Sequence, residues 1–257
     1  MRVLLPAVAI VAYAVTGAAL LVWPPLVALV LAVTWPFDRN RAVAGRLLRL
    51  CGALVSRSFP YWRIRIDGRW PSGRGAYVVV ANHQSFLDIF ALSNLPREMK
   101  WVAKRSLFRI PWVGWCFTMV GDIPVDRGEA SSALDVLARA RGYLERGMSV
   151  MMFPEGTRSR DGKLLPFKAG AFKLAVDAGV PVLPIAITGT AQGMPRGSPW
   201  VRPSRIRIQI LDPVPITGRG DRDVVRLRNE VRARIERALS SPGNGPACDS
   251  PPARGSA

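Results

Sequence analysis

One imidazole occurs in the 257 residues, and it lies in Ala81-Asn82-His83-Gln84-Ser85-Phe86-Leu87-Asp88. Imidazole is the side chain whose ordinary pKa falls nearest neutrality, so a side chain that takes a proton near pH 7 would be His83. A carboxylate five positions later, Asp88, is in reach to hold the ring. The two cannot share a helical face, because five residues of α-helix overshoot one turn by roughly 140°. They require a corner where a loop becomes a helix, with His83 before the helix or in its first turn. The near-pure apolar run Tyr77-Val78-Val79-Val80-Ala81 enters the motif and predicts a buried strand. His83 is then expected at a strand's carboxyl end, where open α/β sheets keep their ligand sites. By itself, a histidine near a carboxylate is more often a satisfied polar pair than a catalyst.

Three further blocks follow: Gly121-Asp122-Ile123-Pro124-Val125-Asp126-Arg127, Phe153-Pro154-Glu155-Gly156-Thr157-Arg158-Ser159 and Val180-Pro181-Val182-Leu183-Pro184. In this order and at these separations the four blocks, within roughly residues 60 to 190, resemble those of the glycerolipid acyltransferases. The resemblance is greatest to the 1-acylglycerol-3-phosphate acyltransferases. It implies that His83 acts as general base on an acceptor hydroxyl, supported by Asp88, without an obligatory acyl-enzyme. The chemistry is coherent: an alcohol is a poor nucleophile until deprotonated, whereas a thioester is already activated. One positioned base of this kind contributes typically 10²–10⁴-fold. The resemblance also assigns Arg127, Glu155, Gly156, Thr157 and Arg158 to the acceptor and its phosphate. Gly156 would permit close backbone approach, and Arg158 would offer a fork of donors. For Glu155 the resemblance implies either contact with the acceptor or organisation of the arginines, with an internal salt bridge as its plain alternative. Only five of the 36 basic residues are lysines, so lysine is the more telling cation. Lys104 matches a lysine placed at the acceptor phosphate in bacterial members, and Lys168 is a weaker candidate.

The implied reaction moves a fatty acyl group from acyl-CoA or acyl carrier protein to the sn-2 hydroxyl of 1-acylglycerol 3-phosphate, giving phosphatidic acid. The thioester is a co-substrate, and no cofactor is implied. Another lysolipid acceptor, such as a lyso-ornithine lipid or a lysophospholipid, remains open within the class. A non-enzymatic membrane or nucleic-acid binder is the distant alternative. The motifs argue against nucleic acid, since aromatic residues are not interleaved with the basic ones and no helix-turn-helix or zinc pattern occurs. Cys51, Cys116 and Cys248 lie far apart, without CxxC spacing or a second histidine, so neither a metal nor a disulfide framework is expected. There is no Gly-x-Ser-x-Gly elbow, and Ser85 is expected to bond within its own loop.

What must hold this chemistry is set by composition and patterning. The net charge of +18 and pI near 11.3 point to a polyanionic partner, and an anionic membrane surface suits best. No charge occurs between Arg2 and Asp38. Val3 to Trp23 is long enough to cross a hydrocarbon core of about 30 Å. Pro24-Pro25 is expected to interrupt it, leaving either one spanning helix and an interfacial segment or a hairpin dipping into one leaflet. Arg39, Arg41, Arg46 and Arg49 place the body on the cytoplasmic side, at the inner membrane. The expected organisation is an anchor over 1–37, a basic amphipathic interfacial helix over 38–59 capped by Asp38, a catalytic domain over 60–239 and a disordered tail over 240–257. The domain should be α/β, a single unit with a central mixed or parallel sheet flanked by helices. Strands are predicted at 62–67, 77–81, 99–103, 149–153, 182–187 and 205–210. Helices are predicted around Leu134 to Leu144, at 169–178 ending on Gly179, and at 223–239.

Overall fold

A computed structural model of the chain describes residues 4–73, 75–126, 130–159, 162–195 and 201–241. Seven strands, β1 (Trp62–Asp67), β2 (Val78–Ala81), β3 (Lys100–Lys104), β4 (Ile123–Val125), β5 (Val150–Met152), β6 (Val182–Thr188) and β7 (Ser204–Ile210), form one sheet in the order β1-β7-β6-β2-β5-β3-β4. Every pairing is parallel except β6 with β7. The apolar run at β2 now has its reason. Val78 and Val80 face one core while Val79 and Ala81 face the other, so no position on this strand is left for water.

Nine helices surround the sheet among the described residues: α1 (Leu4–Thr34), α2 (Ala42–Ser58), α3 (Leu87–Leu92), α4 (Arg105–Phe108), α5 (Val113–Val120), α6 (Ala130–Glu145), α7 (Gly170–Ala178), α8 (Thr190–Gly193) and α9 (Asp221–Ser240). On one face, α6 contributes Val136, Ala140 and Leu144, α7 Phe172 and Ala175, and α9 Val224, Leu227, Val231 and Ile235. The other face is covered by α2 and α3 through Val55, Leu87, Ala91 and Leu92. The helical spacing of these residues is what the sequence displays. Gly179, at φ 67°, ends α7 in the left-handed conformation expected of a C-terminal glycine.

Four elements were not foreseen: β4, α5 and the one-turn helices α4 and α8. β4 has three residues, one of them Pro124, and a proline argues against a strand unless the strand lies at an edge; β4 is the edge. Pro184 sits inside β6, a place that costs a strand its donor. Its carbonyl accepts from Leu211 N–H on the β7 side, so its missing donor would also face that side. There the register slips by one residue between Val182↔Val214 and Ile185↔Ile210, and the bulge removes the need for a donor. Helix α5 packs beside α1 through Cys116 and Val120.

The N-terminal expectation needs correction. α1 runs unbroken through Pro24 and Pro25, so neither the interruption nor the hairpin is present. The lost backbone bonds are offset by packing: Pro24 is buried, Val27 meets Ala44, Cys116 and Val120, and Trp23 Nε1 donates to Leu47 O at 2.9 Å. Within α1, the 19 residues Thr16–Thr34 have a mean hydropathy of 2.1 and are long and apolar enough to cross a membrane, by length and composition. Helix α2 begins at Ala42, with Arg41 at φ 51°; Asp38 caps it from farther back, its Oδ2 accepting Val43 N–H at 2.7 Å. Residues 242–257, most of the expected tail, lie outside the described residues.

Nor do the α2 arginines simply line an outer face. Arg49 is buried, and its Nη2 donates to Asp122 Oδ1 at 2.6 Å. Glu98 stands 3.8 Å from both Arg49 Nε and Lys100 Nζ, and fully buried Lys100 donates to Val120 O at 2.8 Å. A Cβ at position 45 would come within 2.2 Å of Glu98 Oε1, so Gly45 is what lets α2 lie on this cluster. Burial pushes the Glu98 carboxyl up from 4.5 to about 7, against the attraction of Arg49 and Lys100. The folded protein therefore holds a proton that the unfolded chain releases between those values. Stability from this group is complete below pH 4.5 and is lost as pH rises through about 7. Glu98→Gln should flatten the fall in melting temperature between pH 5 and 8. The change in unfolding free energy across that range is expected to be on the order of 1–3 kcal/mol. Glu155 titrates upward in the same window, so part of the slope should persist. Melting curves at several pH values with parallel slopes for both proteins would contradict this.

Candidate active site

Parallel strands end together, and here four neighbours, β6, β2, β5 and β3, bring their carboxyl ends to one edge. His83 follows β2, the Phe153 to Ser159 block follows β5, and Lys104 closes β3. Chain segments about 70 residues apart are thus placed side by side, as the strand-end rule predicts. At the end of β2 the chain must leave the sheet without stranding backbone groups. Asn82 does this with its side chain: Nδ2 donates to Ile187 O at 2.9 Å, and Oδ1 accepts Ile187 N–H at 2.8 Å.

The next residue turns inward. His83 Nδ1 and Asp88 Oδ2 are 2.7 Å apart, with the carboxylate in the first turn of α3, at the loop-to-helix corner that their spacing requires. The same Oδ2 accepts Gln84 N–H at 2.8 Å and Ser85 N–H at 2.9 Å. Asp88 is fully buried and His83 is 8% exposed, so the ring reaches solvent only at its margin. A carboxylate can only accept, so Nδ1 carries the proton and Nε2 keeps a lone pair. That is the tautomer a general base needs. Ser85 bonds within its own loop only in part: Oγ accepts Leu87 N–H at 3.2 Å, but it donates to Met194 O at 2.7 Å, at the end of α8.

The block after β5 packs directly on this histidine. The Phe153 ring stacks on the imidazole, centroids 4.0 Å apart and planes 18° from parallel. Glu155 is buried and makes no ion pair among the described residues. Its Oε1 accepts His83 N–H at 2.7 Å and its Oε2 accepts Leu165 N–H at 2.9 Å, so backbone donors stand where the internal salt bridge was the plain alternative. Burial pushes its carboxyl up to about 7, opposed by these two backbone hydrogen bonds. Gly156 turns at φ 68°, and a Cβ there would sit 2.9 Å from Lys168 Cε and 3.0 Å from its Nζ. The glycine therefore serves two needs, a left-handed turn and room for the lysine. Thr157 and Lys104 are exposed at this edge, and Arg158 is half-buried. Arg127 lies outside the described residues; its neighbour Asp126 pairs with Arg105. Among the described residues, no group of three or more His, Cys, Asp or Glu could hold a metal ion. The stacking of Phe153 had no signal in the sequence beyond its membership of the block.

This geometry has known counterparts. The family model described as Acyltransferase matches residues 63–188. A chloroplastic 1-acyl-sn-glycerol-3-phosphate acyltransferase of Brassica napus is 43% identical over 164 residues, covering 63% of this chain and 47% of that protein. The 1-acyl-sn-glycerol-3-phosphate acyltransferase of Escherichia coli is 30% identical over 194 residues, 74% of this chain and 78% of the relative. The chain belongs to the 1-acylglycerol-3-phosphate acyltransferase family. It spans about half the length of the chloroplastic relatives it matches. The crystal structure of the 1-acyl-sn-glycerophosphate acyltransferase PlsC from Thermotoga maritima superposes with a TM-score of 0.73 at 26% identity, covering 93% of this chain and 97% of that one. The family match begins in β1 and ends in β6, so it contains the whole strand-end edge while α1, α2, β7 and α9 lie outside it.

Proposed function

We propose that this protein transfers a fatty acyl group from a thioester to the sn-2 hydroxyl of 1-acylglycerol 3-phosphate, forming phosphatidic acid. The observation that carries the proposal is the buried His83–Asp88 pair, 2.7 Å apart, in the tautomer that leaves Nε2 basic. In this reading Nε2 removes the hydroxyl proton as the alkoxide attacks the thioester carbonyl. The carbon–sulfur bond breaks, and the thiolate takes the proton back from the imidazolium. Asp88 stabilises that imidazolium while it exists. Acyl-CoA and acyl carrier protein are both acidic, and the net charge of +18 suits either.

The acceptor's single long chain resides in a leaflet, so the enzyme must work at a membrane. Several features support attachment through α1 and α2. The outward side of α1 exposes Leu21, Leu29 and Val33, and Trp35 and Phe37 follow it, also exposed. Helix α2 turns Val43, Leu50 and Leu54 outward beside exposed Arg46 and Arg57, an interfacial pattern. The cytoplasmic side follows from the arginines after α1. Arg158 and Lys104 are assigned to the acceptor phosphate.

The test is thiol release from a long-chain acyl-CoA, and from acyl carrier protein loaded with the same chain, with and without 1-acylglycerol 3-phosphate. Release that requires this acceptor is expected. Lys104→Ala and Arg158→Ala should each raise its KM by about tenfold, roughly the 1.4 kcal/mol that a charge-assisted bond to phosphate is worth. An acceptor lacking a phosphate monoester that reacts as well, and feels neither substitution, would move the assignment to another lysolipid.

A further inference from the structure

We infer that Phe153 and Glu155 are positioning residues for His83, so that the block after β5 acts on the base itself as well as on the acceptor. The inference rests on the acyltransferase reading for its kinetic meaning, and on geometry alone for its structural part. His83 lies beyond the last paired residue of β2, Ala81, and before α3, so no ladder or helix bond fixes its backbone. The segment from 153 to 159 supplies what is missing. Glu155 Oε1 accepts the His83 N–H at 2.7 Å, and Ser159 N–H donates to the His83 carbonyl at 2.9 Å. Both backbone groups of the histidine are thereby held by one loop. Phe153 covers a face of the ring at 4.0 Å, while Asp88 fixes Nδ1. Rotation about the Cβ–Cγ bond, already restrained by the Nδ1 hydrogen bond, is restrained further by the stack.

Glu155 also ties the loop to its neighbour. Its second oxygen accepts Leu165 N–H at 2.9 Å, and Lys168 N–H donates to Pro154 O at 2.8 Å. Both carboxylate oxygens are taken by backbone donors, and only 4% of the residue is exposed, so Glu155 acts through His83 rather than on substrate. A glutamine at this position could accept one of the two N–H groups. Its amide would then oppose a donor with a donor at the other. A displacement of about 1 Å in a catalytic group can lower the rate about 10²-fold.

The experiment combines kinetics with NMR of the imidazole, which is unambiguous because the chain has one histidine. Phe153→Leu should lower kcat by about 10- to 10²-fold with both KM values within about twofold, while Phe153→Tyr, which keeps the ring, retains wild-type kcat. Glu155→Gln should show the same division between kcat and KM. In protein labelled at histidine, the ring carbon-bound protons should lose their aromatic ring-current shift in Phe153→Leu and keep it in Phe153→Tyr. A raised KM at unchanged kcat would overturn the inference and make Phe153 a substrate contact. Equal loss in the Tyr and Leu variants, or imidazole resonances indifferent to the Leu variant, would overturn it too. The NMR arm needs no turnover, so failure of the acyltransferase reading and failure of this inference are separable. Should Phe153→Leu not fold, the Tyr and Glu155→Gln variants still decide between positioning and substrate contact.

Discussion

Replacing His83 with alanine is expected to lower acyl transfer by about 10²–10⁴-fold, the contribution of a positioned general base, and to do so in a protein that still folds. The loss should be unusually clean. No second histidine exists to take over the proton. The loop does not depend on the ring for its shape: Asp88 Oδ2 still accepts Gln84 and Ser85 N–H, and Asn82 still bridges to Ile187. What disappears is the base and its stack on Phe153. Thiol release with saturating acceptor measures the effect, and a thermal melt checks the fold. Partial recovery with added imidazole would show that the missing part is a base of that kind. Wild-type turnover by the alanine variant would end the mechanism, whatever its melting temperature.

How much of this was readable beforehand depends on how local each feature is. β2 and α9 are written in residues that lie next to one another in the chain, so the apolar run at Val78 and the stripe Val224, Leu227, Val231, Ile235 sufficed. The same holds for the pair itself, since the five-residue spacing of His83 and Asp88 allows few geometries besides a loop-to-helix corner. Features that depend on what lies opposite were out of reach. Pro24-Pro25 predicts an interruption only if nothing packs beside it, and α2 and α5 do. Pro184 inside a strand has no excuse in the sequence, because the bulge that accommodates it is set by β7. Arg49 reads as one basic residue among many until Asp122 and Glu98 arrive from elsewhere in the chain. Glu155 was the instructive case: a carboxylate in a motif suggests a partner of opposite charge, yet its partners are two backbone N–H groups.

Asp88→Asn should cost less than a simple loss of tautomer control would, and the reason lies in the two backbone donors. In a serine protease the corresponding change inverts the imidazole tautomer and costs about 10⁴-fold. Here the position of Oδ2 is faced by Gln84 N–H, Ser85 N–H and the Nδ1 proton together. An asparagine that turned its NH₂ toward them would leave the buried Ser85 N–H unpaired, at roughly 1–3 kcal/mol, and the half-buried Gln84 N–H as well. The amide oxygen is therefore expected to take that place, Nδ1 stays protonated, and Nε2 stays basic. What is lost is the negative charge that stabilises the imidazolium as it forms. A neighbouring opposite charge contributes about 10- to 10³-fold to such a proton transfer, and kcat should fall within that range at nearly constant KM. Asp88→Ala should fall further and melt earlier, because three donors then lose their acceptor. Nitrogen NMR of the single imidazole distinguishes the cases. A proton found on Nε2 in the asparagine variant, with a loss as deep as that of His83→Ala, would mean that the backbone donors do not govern the orientation of residue 88.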